Sequence, residues 1–247
     1  MGSVSSSGRA GPGRGRRRGA GGGLALGAGA LEGTAPLYDA VYAALCRVLM
    51  QGGIGAEERL SVRAMAERLG TSATPVKEAL RRLRADGVVY ALPKSAFCIV
   101  PMPPERYRAL LDIRVRLEPL AAEAACRGAV PGLAARLAAL NARYRAVPAG
   151  DTAAFLAANQ QFHFALYEAA GLPDLLDIIR GLWLRIGPHL GQAAGLDPVA
   201  ASRHHDRLIA ALRDGDAAAA GQAVRDDLES AAAVILPRLA ASDPEPA

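Results

Sequence analysis

The chain has 247 residues, 51% of them hydrophobic and 21% charged, and its formal net charge is +5. This length allows two compact domains, and the sequence contains no apolar run long enough to span a membrane. The three cysteines are odd in number, widely spaced and without a metal-binding pattern, so we expect a cytoplasmic protein without a disulfide framework.

The positive charge is concentrated in the first 101 residues. Residues 1–34 contain five Arg and one Glu, and residues 35–101 contain nine basic and six acidic side chains. Residues 102–247 contain fifteen basic and seventeen acidic side chains, so only the first part favours a polyanionic partner such as DNA. Residues 1–34 contain almost no large apolar residues and are predicted to be a disordered Arg/Gly-rich tail. This tail is either a basic arm that touches DNA phosphates or a segment without a role.

Residues 36–50 are predicted to form the first helix. Five apolar residues recur at helical spacing: Leu37, Val41, Leu45, Val48 and Leu49. Gly52, Gly53 and Gly55 then interrupt the chain before Leu60. This helix would close the small core of the domain that follows.

The stretch from Ala64 to Gly87 carries the strongest functional signal. Gly70 suits the left-handed position that ends a short helix. Thr71 and Ser72 can cap the next helix, and Pro75 is tolerated in its first turn. A short helix, a tight turn and a second helix are the elements of a helix-turn-helix.

The second of these helices has two distinct faces. Four apolar residues recur at positions i, i+3, i+4 and i+7: Val76, Ala79, Leu80 and Leu83. Lys77, Arg81 and Arg84 fall on another face, which can present charge to phosphates and base edges in a major groove. The alternative is an ordinary amphipathic helix with a solvated basic face. The preceding helix, the turn and the segment that follows favour the DNA-reading interpretation.

A hairpin follows this helix. Residues 88–92 and 96–100 are two short β-rich runs separated by a turn, which predicts paired strands. A hairpin directly after a recognition helix is a wing. We therefore predict that residues 35–101 form a winged helix-turn-helix domain of three helices and a β-hairpin.

This domain resembles the winged helix of the GntR family of bacterial transcription regulators. The matching segments are residues 58–61, 66–70, 74–83 and 86–89. The resemblance implies that the chain binds double-stranded DNA through the second helix, the recognition helix and the wing.

The resemblance also carries over the family's DNA-contacting positions. Arg63 matches the expected Arg, and Lys77 is a basic substitute for Arg. Ala73 and Ala96 stand where the family has Arg and Gly, which implies an atypical operator or weaker binding. The complete set of predicted DNA-contacting residues is Arg63, Ser72, Thr74, Lys77, Arg81 and Lys94.

From Pro104 onward the pattern is helical, with breaks at Gly and Pro residues. The predicted helices are 104–127, 131–146, 150–170, 173–190, 198–213 and 216–240. Short turns between them predict an antiparallel bundle of six to seven helices over residues 102–241, followed by a tail at 242–247. The predicted fold class is mainly α, with a winged helix-turn-helix ahead of this bundle.

Polar side chains interrupt the apolar stripes of three bundle helices. The four residues are Asn159, His163, His205 and Asp227. Buried polar groups need partners, and converging imidazole, amide and carboxylate groups can hold a divalent metal. The alternative is a satisfied hydrogen-bond cluster without an ion.

Residues 104–240 resemble the all-helical FCD effector domain of the FadR subfamily of GntR regulators. The resemblance rests on residues 114–118, 159–163 and 205–216. In metal-binding members an Asp or Asn and three His hold zinc or a similar ion beside a small carboxylate effector.

Three of these four metal ligands match, at Asn159, His163 and His205, and Asp227 replaces the last His. The resemblance therefore implies a divalent ion, either Zn, Mn, Ni or Mg. A carboxylate in the set favours the harder ions Mn and Mg, although it is also compatible with an empty site.

The same resemblance assigns a role to an arginine in the first helix of the bundle, residues 104–127. It implies that Arg114 pairs with an effector carboxylate. The alternative for Arg114 is a surface ion pair with Glu118. We expect His189 and His204 to lie on the surface or in loops.

These observations predict a ligand-responsive transcription regulator, most simply a repressor. It would act as a homodimer on a two-fold symmetric operator and release or bind DNA through a population shift. Two alternatives stay open: a metal-dependent enzyme that uses the bundle site, and a regulator whose sensor site no longer holds a metal.

Overall fold

The computed structural model describes residues 37–93, 96–193 and 198–242. The predicted tail at residues 1–34 and Lys94 in the wing lie outside these residues. The described part contains two units, a small α/β unit followed by a helical bundle. No helix in it is long and apolar enough to cross a membrane.

The first unit is a winged helix-turn-helix. Its helices are α1 (Leu37–Met50), α2 (Val62–Leu69) and α3 (Ala73–Ala85), and its strands are β1 (Arg59–Ser61), β2 (Val89–Leu92) and β3 (Ala96–Ile99). The strands form an antiparallel sheet in the order β1-β3-β2. The core of this unit is formed by the apolar stripes of the three helices, including the predicted stripe of α3.

Local sequence explains how helices α2 and α3 begin and end. The Ser61 hydroxyl accepts a hydrogen bond from the Ala64 amide at the start of α2. Gly70 ends α2 with φ 63° and ψ 33°, the left-handed conformation expected from the sequence. Ser72 is the N-cap of α3, but its side chain makes no capping hydrogen bond.

The second unit is a bundle of long helices. They are α4 (Pro104–Arg127), α5 (Leu133–Arg145), α6 (Thr152–Ala169), α7 (Pro173–Ile186), α8 (Pro198–Asp214) and α9 (Ala217–Ser242). Helix α4 packs along α9, α9 packs on α8, and α8 packs on α5. This arrangement confirms the predicted fold class.

Two features differ from the sequence prediction. Strand β1 was not predicted; it pairs Leu60 with Phe97 of the wing, and three residues are too few to show an alternating pattern. The helix predicted at 173–190 ends at Ile186, and Gly187–Ala193 is a 3₁₀ helix. Pro188 explains this break, because it has no amide hydrogen to continue the α-helical hydrogen bonds.

Candidate metal centre and nucleic-acid interface

Three bundle helices bring two imidazoles and a carboxylate together. His163 on α6, His205 on α8 and Asp227 on α9 each offer a ligand atom, and these atoms all lie within 4.8 Å of one another. Both histidines are buried, and the Asp227 side chain is 15% exposed. The structure therefore places three of the four predicted ligands in one cluster.

The orientation of His205 is fixed from α5. Its Nδ1 lies 2.9 Å from Oδ1 of Asn141, whose own Nδ2 donates to Asp206 at 2.9 Å. Since an amide oxygen only accepts, Nδ1 carries the hydrogen and Nε2 carries a lone pair. This Nε2 atom is buried and has no hydrogen-bond partner. Burial lowers the pKa of His205 to about 3, so the ring is neutral at pH 7.

A similar chain of hydrogen bonds within the bundle orients His163. Its Nδ1 lies 3.2 Å from the Tyr167 hydroxyl, which donates its hydrogen to Glu118 Oε2 at 2.6 Å. The hydroxyl therefore accepts from His163 Nδ1–H, and His163 Nε2 faces Asp227 Oδ2 at 3.3 Å. A lone pair and a carboxylate oxygen at this distance need a proton or a cation between them. Burial works against ionisation of Asp227, but when a proton occupies Nε2 the hydrogen bond and positive charge of His163 outweigh burial and lower the pKa of Asp227.

This chain of hydrogen bonds ends at a buried ion pair on α4. Arg114 Nε donates to Glu118 Oε1 at 2.5 Å, and the two side chains are 8% and 0% exposed. Burial alone would lower the pKa of Arg114, but the Glu118 carboxylate outweighs it and the pKa is raised. The alternative of a surface ion pair between Arg114 and Glu118 was therefore correct about the partner, but the pair is buried and not on the surface. The Arg114 guanidinium is already paired with a carboxylate of its own helix.

A small cavity adjoins the cluster. Its volume is about 50 Å³, and Asp227 and Asn159 both line it. Leu156 of α6 and Leu190 of the 3₁₀ helix form part of its wall, and Arg114 is not among its lining residues. Asn159 is half-buried, so the fourth predicted ligand shares this cavity with Asp227.

The donor set suits a divalent cation. Two imidazole nitrogens and a carboxylate oxygen, with an amide beside the same cavity, are ligands of first-row transition metals. Ligand atoms on one ion with bonds of about 2.1 Å are separated by roughly 3–4 Å. The separations observed here approach that range, and the partnerless Nε2 of His205 is the kind of buried atom that a metal would satisfy.

Five of the six predicted DNA-contacting residues lie in the described part of the winged helix. Arg63, Ser72, Thr74, Lys77 and Arg81 are all exposed. Arg63 forms an ion pair with Glu67 at 3.0 Å, and Arg81 lies 3.6 Å from Glu78. Such exposed pairs contribute little stability and leave the cations available to phosphates.

The comparisons with known proteins agree with this architecture. Residues 37–99 match the family described as bacterial regulatory proteins, gntR family, and residues 109–230 match the FCD domain. The HTH-type transcriptional regulator McbR of Escherichia coli is 31% identical over 170 residues, which cover 67% of this chain and 77% of McbR. The chain belongs to the GntR family.

Two further similarities support this assignment. A probable D-xylose utilization operon transcriptional repressor of Paenarthrobacter nicotinovorans is 30% identical over 169 residues, covering 62% of this chain and 68% of that protein. The solved structure of E. coli McbR/YncC superposes with a TM-score of 0.75 at 28% identity, covering 81% of this chain and 97% of that chain. This GntR chain is thus a transcription regulator with an FCD effector-binding domain, which excludes the enzyme alternative.

Sequence reasoning missed the contacts between the two units of this GntR chain. Arg185 Nε of α7 donates to the Asp86 carbonyl at the end of the recognition helix, at 3.2 Å. His189 was predicted to be a surface or loop residue, which is wrong: it is buried, and its Nε2 lies 3.2 Å from the Val100 carbonyl. His204 is half-buried.

Glycines allow the backbones of the two units to approach closely. A Cβ on Gly187 would lie 2.3 Å from the Leu49 carbonyl oxygen, and a Cβ on Gly52 would lie 2.6 Å from Leu156 Cδ1. The end of α1 is therefore pressed against the 3₁₀ helix and α6. The break after Ile186 in the sequence was the available signal for this contact, because Gly-Pro interrupts an otherwise apolar helical pattern.

Proposed function

We propose that the protein is a cytoplasmic transcription repressor of the FadR subfamily. It binds a two-fold symmetric operator as a homodimer, and a small carboxylate effector in the bundle, held at a divalent metal, alters its affinity for DNA. The observation that carries this proposal is that cavity walls beside the ligand cluster also contact the winged helix. We infer repression from the similarity to the probable transcriptional repressor of Paenarthrobacter nicotinovorans.

The exposed basic face of α3 supports the DNA-binding half of the proposal. Lys77 and Arg81 are exposed there, while the opposite apolar face is buried in the domain core. A helix anchored in this way can enter a major groove without unfolding its own domain. Lys77 has a compact ammonium group, whereas an Arg at this position could form two parallel hydrogen bonds to guanine. We therefore expect Lys77 to contribute more through phosphate contact than through base recognition.

The ligand cluster supports the sensor half. His163, His205, Asp227 and Asn159 would hold the metal, and the metal would supply a positive charge that attracts an anionic effector. Asn141 and Tyr167 would orient the two imidazoles through hydrogen bonds to Nδ1, as outer-shell groups do in metal proteins. With Asp227 among the ligands, Mn²⁺ and Mg²⁺ suit the site better than they would suit three imidazoles.

The cavity walls offer a physical route to the DNA-binding unit. Leu156 lines the cavity and packs over Gly52, next to the end of α1. Leu190 lines the same cavity and follows His189, which contacts Val100 at the end of the wing. A ligand that displaces either leucine would shift the winged helix relative to the bundle, and in a dimer this changes the spacing of the two recognition helices.

A DNA-binding assay tests this function. Full-length chain would be titrated onto the DNA fragment upstream of its own coding sequence at several salt concentrations. We expect salt-sensitive binding, with Lys77→Ala reducing the slope of log K against log salt by about one. Arg136→Ala is the matched control, because it removes a positive charge from α5, outside the winged helix. Absence of salt-sensitive binding to any such fragment would contradict the regulator proposal.

A further inference from the structure

The residues that line the cavity beside Asp227 favour a narrower class of ligand than small carboxylates in general. Its wall is mainly apolar, with Phe155, Leu156, Leu190 and Ile235, and its neutral polar groups include Tyr144 and Ser230. Among the described residues that line it, Asp227 alone carries a charge.

The buried arginine of α4 does not change this charge balance. Arg114 is paired with Glu118 through two hydrogen bonds, at 2.5 and 3.3 Å, so the two charges cancel. His205 donates from Nδ1 to Asn141 and would bind the metal through the lone pair of its partnerless Nε2, as a neutral ligand that adds no charge. A divalent ion with Asp227 as its one anionic ligand therefore leaves a single net positive charge beside the cavity.

We infer that this cavity selects a short ligand with one negative charge and an apolar body, and that Asp227 sets that charge limit. The inference rests on the proposed function and names the ligand class of its site. A monocarboxylate neutralises the remaining charge, whereas a second carboxylate would be buried against apolar walls without a partner, which is strongly unfavourable. The cavity has a volume of about 50 Å³, which is room for about four water molecules. A ligand with a chain of a few carbon atoms fits this space.

The test uses four small probes in two matched pairs. Butyrate and its amide, butyramide, have the same size and differ by one negative charge. Succinate and its monoamide, succinamate, are also matched in size but carry two charges and one. Their binding to full-length chain in excess Mn²⁺ would be measured by isothermal titration calorimetry and by the shift in melting temperature.

We expect butyrate to bind at least about tenfold more tightly than butyramide, and succinamate at least about tenfold more tightly than succinate, because each weaker partner leaves a charge uncompensated. Succinate binding as tightly as succinamate would overturn the inference, and so would butyramide binding as tightly as butyrate. Failure of all four probes to bind the Mn²⁺-loaded chain would also overturn it.

Variants at Asp227 test the residue itself. Asp227→Asn keeps the shape and a ligating oxygen, and Asp227→His keeps a metal ligand, but both remove the negative charge. We expect the preference for succinamate over succinate to shrink by about tenfold in whichever variant still binds Mn²⁺. Asp226→Asn is the matched control, because it removes a negative charge from the neighbouring position of α9, outside the cavity lining, and it should keep the wild-type preference. An unchanged preference in the charge variants would overturn the role of Asp227.

The test also separates the inference from the function on which it rests. Mn²⁺ binding to the wild-type chain would first be measured without any carboxylate. Absence of Mn²⁺ binding would contradict the metal part of the proposed function and remove the basis of the inference. Normal Mn²⁺ binding with the wrong order of probes would contradict the inference alone.

Discussion

Gly187 at the start of the 3₁₀ helix lies so close to Leu49 of α1 that a Cβ on Gly187 would be 2.3 Å from the Leu49 carbonyl oxygen. The same Cβ would lie 2.7 Å from Met50 Cα. Both obstacles are backbone atoms, so a side chain at this position can be accommodated only by moving α1 away from the bundle. The contact fixes the position of the winged helix relative to the sensor.

Gly187→Ala should therefore destabilise the protein and loosen the junction between its two units. The expected loss is about 1–3 kcal/mol, the usual range for overpacking, and it would be measured by thermal or urea unfolding. Gly181→Ala is the matched control, because nothing lies within 4 Å of its added Cβ. In the middle of α7 that change should stabilise by up to about 1 kcal/mol. Equal effects of the two substitutions would contradict the proposed junction.

Removal of the His205 imidazole should abolish the metal response of the protein. Mn²⁺ at about 100 times its Kd should add about 2.7 kcal/mol to the stability of the wild type, and EDTA should reverse this gain. His205→Ala should lose the gain, since Nε2 of His205 is a buried atom without a hydrogen-bond partner and is one of the assigned ligand atoms. His204→Ala changes the neighbouring half-buried histidine and should retain it. A similar Mn²⁺ shift in His205→Ala would argue against the assigned ligands.

Removal of only one charge from the ion pair of Arg114 and Glu118 should strongly lower the unfolding free energy of the protein. Glu118→Gln leaves the buried Arg114 without a counter-charge, for which we expect a loss of about 3–5 kcal/mol in unfolding free energy. The double variant Arg114→Met with Glu118→Leu removes both charges and should be more stable than Glu118→Gln alone. A single variant as stable as the wild type would contradict the burial of this ion pair.

His189 should make stability depend on pH in the acidic range. Burial, together with the positive charge of Arg106, lowers the pKa of His189 to about 4, and the Val100 carbonyl only partly offsets this. Between pH 6.5 and 4 the unfolded chain binds more protons at this residue than the folded chain, so stability falls as the pH falls. The contribution of His189 is at most about 3 kcal/mol.

His189→Gln isolates this contribution. Glutamine keeps an N–H donor for the Val100 carbonyl but does not titrate. The variant should lose less stability than the wild type when unfolding is measured at pH 7 and at pH 4.5. His205 and the carboxyl groups titrate in both proteins, so the difference between the two curves reports on His189. Parallel curves would show that His189 is not held neutral by burial.

The sequence predicted most of the fold because its elements are marked by local signals. The apolar stripe of α3, the left-handed Gly70 and the Gly and Pro breaks of the bundle can all be read within a few residues. Strand β1 could not be predicted in this way. It exists because Leu60 pairs with Phe97, far along the chain, and buries its side chain in the core.

The candidate site was only partly predictable for the same reason. His163, His205 and Asp227 stood out because polar residues interrupted apolar stripes. Asn141 gave no such signal, because its role depends on a hydrogen bond to His205 from a different helix. The burial of His189 likewise comes from packing between two units, which local periodicity does not describe.

The most direct test of the account measures whether the ligand cluster controls DNA binding. Operator affinity would be measured by fluorescence anisotropy for the metal-free and the Mn²⁺-loaded full-length chain, and again for His205→Ala. We expect Mn²⁺ to change the Kd of the wild type for DNA by at least about fivefold, the lower end of allosteric coupling, and to leave the Kd of His205→Ala unchanged. A wild-type Kd that is the same with and without bound Mn²⁺ would contradict it.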